Sequence, residues 1–256
     1  PPQIHTEINH LAFDYRLPVL CEKPIAEDWK EAVGIVRRAV TEKALFMIAE
    51  NYRRTPVMRR ARTLIEERAI GDIRSIHCAH YKRLITDKAY FMRMKHPYLV
   101  DVVIHHLDLF RYLSGSEAKW VFARSYRPAE SWHPGNLALD LTMEMDREVM
   151  ATFTGSLISK GPETTWNGDW RIEGTAGVLT IQRDRLRLFR GEKVVRMEDK
   201  QEANPPGCLE DFLTALEESR EPETSGRDYL RTQALVYFAI QSSEANQVMK
   251  VTPLEI

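Results

Sequence analysis

Three absences narrow the reading of this chain. Cysteine is scarce. Cys21, Cys78 and Cys208 are the only three in 256 residues, and they are odd in number, far apart and set in apolar stretches. They exclude a disulfide frame and a cysteine-built metal cage, and read as buried free thiols of a reducing compartment, so the cytoplasm is the expected location. Charge of one sign is not in excess either: 36 Lys and Arg face 37 Asp and Glu, a formal net charge of -1. No global field would draw nucleic acid or an acidic membrane to the surface. Long hydrophobic runs are missing as well. No stretch reaches the roughly eighteen apolar residues of a membrane span, and the start lacks the pattern of a signal peptide. What remains is the balance of an ordinary globular protein, 43% hydrophobic and 29% charged, long enough for one large domain or two modest ones.

The first 70 residues follow one grammar. A short helix over residues 6–15 leads to Val19-Leu20-Cys21, a run suited to a buried parallel strand. An amphipathic helix from Asp28 to Thr41 carries Ala32, Ile35, Val36 and Ala39 on one face. Leu45 to Ala49 reads as a second buried strand. A helix then starts at Pro56, runs to Ala69 and is capped by Gly71. Strand, helix, strand, helix predicts a parallel α/β sheet over residues 1–70. After Gly71 the grammar changes. A long strand from Ile73 to Leu84, a loop over 86–98 and a helix from Leu99 to Leu113 stopped at Gly115 come first. Strands follow at 119–126, 137–145, 148–158, 168–174, 177–182, 185–190 and 193–197. Two helices close the chain, one from Asn204 with Leu209, Phe212, Leu213 and Leu216 inward, the other from Ser225-Gly226 to about Val248. Residues 71–256 therefore predict an α+β region, a large open, mainly antiparallel sheet with helices on one face. The other face needs cover, and a homodimer or homotetramer is expected to supply it. Leu186 and Leu188, alternating with arginines, are expected to lie in that contact.

Asp101, His105 and Asp108 stand at i, i+4 and i+7 on a helix that is otherwise strongly apolar, so they share one face. Polar groups on a buried face are costly unless paired. A carboxylate one turn from a histidine can orient the ring for acid/base work. The same spacing fits a capping Asp101 and a structural His105, and spacing alone favours that second reading. His106 is rotated by about 100° from His105, which argues against one metal ion held by both, and His77 and His80 point to opposite faces of a strand. No metal is expected. Glu22-Lys23-Pro24 lies just beyond the end of a parallel strand, where such sheets hold ligands. A lysine there can polarise a substrate oxygen, although a solvated loop lysine fits equally. The arginines between 53 and 62 read as a solvated helix face. Tyr81, Arg83, Tyr90, His96, Tyr98, Trp132, His133, Trp166 and Trp170 are candidates to face a polar ligand, with several of them expected in the core.

Taken in order, these elements resemble the Gfo/Idh/MocA oxidoreductases. The resemblance rests on Pro1-Pro2-Gln3-Ile4-His5, on Val19 to Pro24 with its Glu-Lys-Pro ending, on Glu50-Asn51-Tyr52-Arg53 and on Gly71-Asp72-Ile73. It continues in Asp101 to Asp108, which matches an Asp-x-Gly-x-His-x-x-Asp helix, and in Ile172 to Gly177. It implies a Rossmann-like parallel sheet followed by the α+β region. It also implies an oxidoreductase moving a hydride between NAD or NADP and a CH-OH carbon of a sugar, polyol or related hydroxy compound. By resemblance, Lys23 and His105 carry the proton chemistry and Asp101 partners His105. Pro2, His5, Glu22 and Lys23 line the cofactor, and Asn51, Arg53 and His106 meet the substrate.

Two departures qualify the expectation. Val103 stands where the family often has glycine. No Gly-x-Gly-x-x-Gly follows a first strand. The chain opens on Pro1 without a methionine, and its start reads as the remainder of something longer. On the order of 80 residues of a dinucleotide fold, from βαβ units of about 30 residues, are expected ahead of it. A truncated chain of this kind is expected to bind NAD(P) weakly or not at all and to be inactive alone. The alternatives are a non-catalytic assembly module derived from the family, and a metal-dependent lyase or hydrolase built on Asp101 and His105.

Overall fold

The computed structural model describes residues 1–198 and 205–252. Helix α1 (His5–Asp14) precedes strand β1 (Val19–Cys21), α2 (Trp29–Glu42), β2 (Phe46–Ile48) and α3 (Pro56–Glu66). β1 and β2 are parallel, with Val19 opposite Phe46 and Cys21 opposite Ile48. The aspartate before α2 makes its start unambiguous: the Asp28 carboxylate accepts from the N–H groups of Lys30 and Glu31, filling two of the donors a helix start leaves open. Ala32, Ile35, Val36 and Ala39 are its buried residues, the face the periodicity indicates.

Strand β3 (Ile73–Tyr81) opens the second region. It is followed by the short α4 (Ala89–Arg93), a π-helical turn over Tyr98–Val103 and α5 (Ile104–Ser114). Gly115 ends α5 in the left-handed region at φ 63°, a conformation glycine adopts without a Cβ penalty. Next come β4 (Ala118–Tyr126), β5 (Ala138–Met145), β6 (Met150–Ser156), β7 (Asp169–Gly174), β8 (Val178–Gln182), β9 (Arg185–Arg190) and β10 (Lys193–Glu198). The chain continues with α6 (Cys208–Glu217), α7 (Gly226–Ala245) and β11 (Met249–Lys250). The nine strands of this sheet run β10-β9-β8-β7-β3-β6-β5-β4-β11. Every pair is antiparallel except β3 with β6, so the sheet is mixed. The turn between β8 and β9 is the two-residue Arg183-Asp184, both at positive φ, as a tight hairpin requires.

Helix α7 ties the two regions together. It packs on β4, α5, α2 and β2, and Gln233 accepts from Ile25 N–H and donates to the Ala26 carbonyl. One hydrophobic cluster runs from Phe13 and Ile35 through Leu107 and Phe110 to Ile172 and Ala239. Among the described residues no helix is long and apolar enough to cross a membrane.

Several expectations are corrected. On α6 only Phe212 of the four named apolar residues faces inward, together with Asp211 and Ala215. Leu209, Leu213 and Leu216 are exposed, because the two sets occupy different sides of the helix. Leu186 and Leu188 are buried in the chain's own core, so they are not available to a subunit contact. Asn204, the expected start of α6, lies outside the described residues, and the helix begins at Cys208. Helix α7 stops at Ala245, where Asn246 turns left-handed. Tyr98, His133 and Trp170 are interior.

Candidate active site

The site forms where the end of β1, the end of β2 and the start of α5 converge. Glu22-Lys23-Pro24 follows β1, with a cis peptide bond between Lys23 and Pro24. The Lys23 ammonium donates to Asp101 twice, to its carbonyl oxygen at 2.6 Å and to Oδ1 at 2.9 Å. Both side chains are mostly buried, 14% and 20% exposed, so water screens the pair only partly. His5 donates from Nδ1 to the Pro24 carbonyl at 2.8 Å, and Pro2 is buried just before it. Glu22 is exposed. Pro2, His5 and Lys23 thus surround one loop beyond the β1 end.

Asp101 does not contact His105 as the i, i+4 spacing suggests. The helix is not straight there: Tyr98–Val103 winds as a π-helix before α5 begins. The wider i→i+5 turn changes the phase between the two residues, and Asp101 is engaged by Lys23 instead. The His105 imidazole turns to the β2 end. Its Nδ1 lies 2.8 Å from each carboxylate oxygen of Glu50, and the Tyr52 ring stacks on its face at 4.1 Å, 6° from parallel.

Glu50 is fully buried. It accepts from the Tyr52 N–H at 2.9 Å and from the Tyr229 hydroxyl at 3.0 Å. Burial raises its pKa, but the charge and hydrogen bond of His105, with those of Tyr52 and Tyr229, outweigh it and leave the carboxyl below its ordinary value. Burial, followed by the charges of Glu50 and Asp101, pushes the Tyr52 phenol up, so it stays protonated and neutral against the His105 ring.

Two residues expected to meet the substrate are committed elsewhere. Arg53 is buried and donates to both oxygens of Asp108, and at 2.9 Å to Asp228. Thr232 and Arg111 complete that network around Asp108 and Asp228. The guanidinium is committed through Nε and Nη2 to the buried Asp108 and the partly exposed Asp228. His106 is fully buried, 4.6 Å from His80 and beside Phe153 and Trp170. Burial and the neighbouring imidazoles hold it neutral. The π turn and the 100° step place it in the core. Asn51 is exposed between Glu50 and Tyr52.

Sequence reasoning missed Glu50 and Tyr52 as parts of the site. One signal was available: a carboxylate two residues past the wholly buried Phe46–Ile48 strand needs a partner. No local pattern names the partner, which lies 55 positions away.

The residues beyond β1 fit the nicotinamide end of a dinucleotide: a lysine ammonium, a proline wall and a histidine at the carboxyl end of a parallel strand. The start of α2 offers them no phosphate cradle, since it is filled by its own Asp28 carboxylate. Among the described residues no group of three or more His, Cys, Asp or Glu side chains could hold a metal ion.

Residues 58–180 match the model of the GFO/IDH/MocA C-terminal domain. The uncharacterized protein y4oX of Sinorhizobium fredii is 24% identical over 98% of this chain and 74% of its own length. Levoglucosan dehydrogenase of Pseudarthrobacter phenanthrenivorans is 30% identical across 45% of this chain and 31% of its own. An Agrobacterium radiobacter oxidoreductase, solved with NAD+, L-tartaric acid and magnesium, superposes with a TM-score of 0.89 at 22% identity, covering 98% of this chain and 78% of that one. The motifs, the mixed sheet and the matched domain agree: residues 58–180 carry a GFO/IDH/MocA C-terminal domain.

Proposed function

We propose that this site oxidises a hydroxyl carbon of a sugar, polyol or related hydroxy compound, or reduces the corresponding carbonyl, with NAD or NADP. The observation that carries the reading is the meeting of Lys23, from the end of β1, with Asp101 on the turn that leads into His105. It joins a cofactor-side lysine to a substrate-side histidine. A bound nicotinamide supplies the hydride half of the reaction. The chain's own residues supply the proton half. His105 accepts the hydroxyl proton as the carbon is oxidised and returns it in the reverse direction. The Lys23 ammonium, fixed by Asp101, stabilises negative charge on the substrate oxygen. Exposed Asn51 offers an amide to neighbouring hydroxyls, and Pro2, His5 and Glu22 border the nicotinamide.

Affinity for the dinucleotide is a separate matter. Much of it comes from a pyrophosphate resting on a glycine-rich turn and a helix start, and these 256 residues contain no Gly-x-Gly-x-x-Gly. The capped start of α2 offers no substitute. We therefore expect hydride transfer by this chain to be slow and to rise linearly with cofactor up to millimolar concentration. The same features favour, as a second reading, an assembly module that keeps the fold without turnover. Assays with a panel of sugars and polyols at millimolar NAD+ and NADP+ separate the two. Turnover abolished by His105→Asn supports the enzyme. No turnover with any compound overturns it for this chain.

A further inference from the structure

The proton-transfer role of His105 leaves open which ring nitrogen does the work and what decides it. Glu50 answers both. Its two oxygens receive the Tyr52 N–H, the Tyr229 hydroxyl and His105 Nδ1. The side chain is fully buried and its carboxyl is held below its ordinary value. An ionised carboxylate can only accept, so the hydrogen on the His105–Glu50 contact belongs to Nδ1. In the neutral ring the lone pair must then be on Nε2. Tyr52, parallel to the imidazole at 4.1 Å, blocks one ring face and resists a flip that would exchange the nitrogens.

Burying a carboxylate among apolar residues is costly unless it is paired and hydrogen-bonded. Asp101, the acid one helical turn away, is already held by Lys23. We infer that Glu50 is a positioning residue: with Tyr52 it locks His105 as the Nδ1–H tautomer and leaves Nε2 as the proton-transfer atom. This assignment rests on the reading of His105 as the acid/base group, but it can be measured without that reaction. The arrangement follows a general rule, that the bond made by one imidazole nitrogen sets the state of the other.

The test is long-range 1H–15N NMR of the 256-residue chain labelled in its histidines, with the His105 signals assigned by their loss in His105→Gln. We expect neutral His105 with Nδ1 protonated and Nε2 bare. In Glu50→Gln the amide can donate as well as accept, and the preference should fall at least tenfold toward a mixture. A wild-type His105 protonated on Nε2 overturns the proposal, and that result needs no variant to fold. An unchanged tautomer in folded Glu50→Gln also overturns it. Because neither cofactor nor substrate is present, the expected tautomer together with absent hydride transfer would sink the dehydrogenase reading alone.

Discussion

The ammonium of Lys23 is held by two oxygens of one residue, the carbonyl and the carboxylate of Asp101, 78 positions later in the chain. Asp101 lies in a π turn, a feature that concentrates at functional sites. Lys23→Met should lower hydride transfer by at least about 100-fold, the scale of a lost proton-transfer or charge-stabilising group. Asp101→Asn keeps the carbonyl contact and should cost about tenfold. Steady-state rates at fixed millimolar cofactor, with circular dichroism as a folding control, measure both. Equal rates in wild type and Lys23→Met would remove the lysine from the mechanism.

Dinucleotide affinity should be weak. Fluorescence titration of NADH and NADPH into the 256-residue chain should show no saturation in the low-micromolar range. One tight site per chain would mean that the phosphates are held by residues other than a glycine-rich turn.

Arg53 should prove to be a stability residue. Removing it leaves Asp108, which is fully buried, with its remaining partners Thr232 and Arg111 and without the bidentate fork. Breaking a buried pair from one side costs about 3 to 5 kcal/mol. Urea unfolding of Arg53→Ala should show a loss of that order. A variant with unchanged stability and weakened sugar binding would restore Arg53 to the substrate site.

Folding stability should fall in mild acid. Burial, and then the Lys82 ammonium, lower the His80 pKa to about 4 from the ordinary 6.5. His106 and His96 are depressed in the same direction, mainly by burial. A histidine depressed in the folded state takes its proton first in the unfolded chain. Its contribution is therefore complete above about pH 6.5 and is lost as pH falls from there toward 4. For His80 alone this amounts to roughly 3.5 kcal/mol in all at about 1.4 kcal/mol per pKa unit, of which roughly 2 kcal/mol is lost by pH 5. Urea midpoints at pH 7.5 and 5 should differ accordingly, and His80→Gln should show a shallower dependence. An identical dependence in the variant would place its origin elsewhere.

The uncovered face of the nine-stranded sheet should mediate self-association into a homodimer or homotetramer. It presents Tyr126, Asp140, Thr154, His77 and Arg171, a mixed polar and aromatic surface of the kind subunit contacts use. Sedimentation at micromolar concentration should give a dimer or tetramer, and Thr154→Arg should shift it toward monomer. A wild-type chain that sediments only as monomer would refute this.

Local pattern was enough for most of the elements, though not for α4, the π turn over Tyr98–Val103 or the buried face of α6. Apolar runs of three to five residues marked β1 and β2, period-3.6 stripes marked α2 and α3, and Asp28, Gly115 and the Arg183-Asp184 turn set their ends. These features are written in short windows, because caps, turns and periodicity act between near neighbours. Lys23 and His105 were legible by their motifs and their place beyond a strand end and on an apolar helix. Their partners were not. Spacing assigned Asp101 to His105, but the π turn altered the phase, and the tertiary fold gave Asp101 to Lys23 and Glu50 to His105. It likewise turned Arg53 and His106 from the cleft into the core. A buried charge takes whichever opposite group the packing brings within hydrogen-bond reach, and that choice spans 55 positions for Glu50 with His105 and for Arg53 with Asp108. No window on the sequence contains both ends of such a pair.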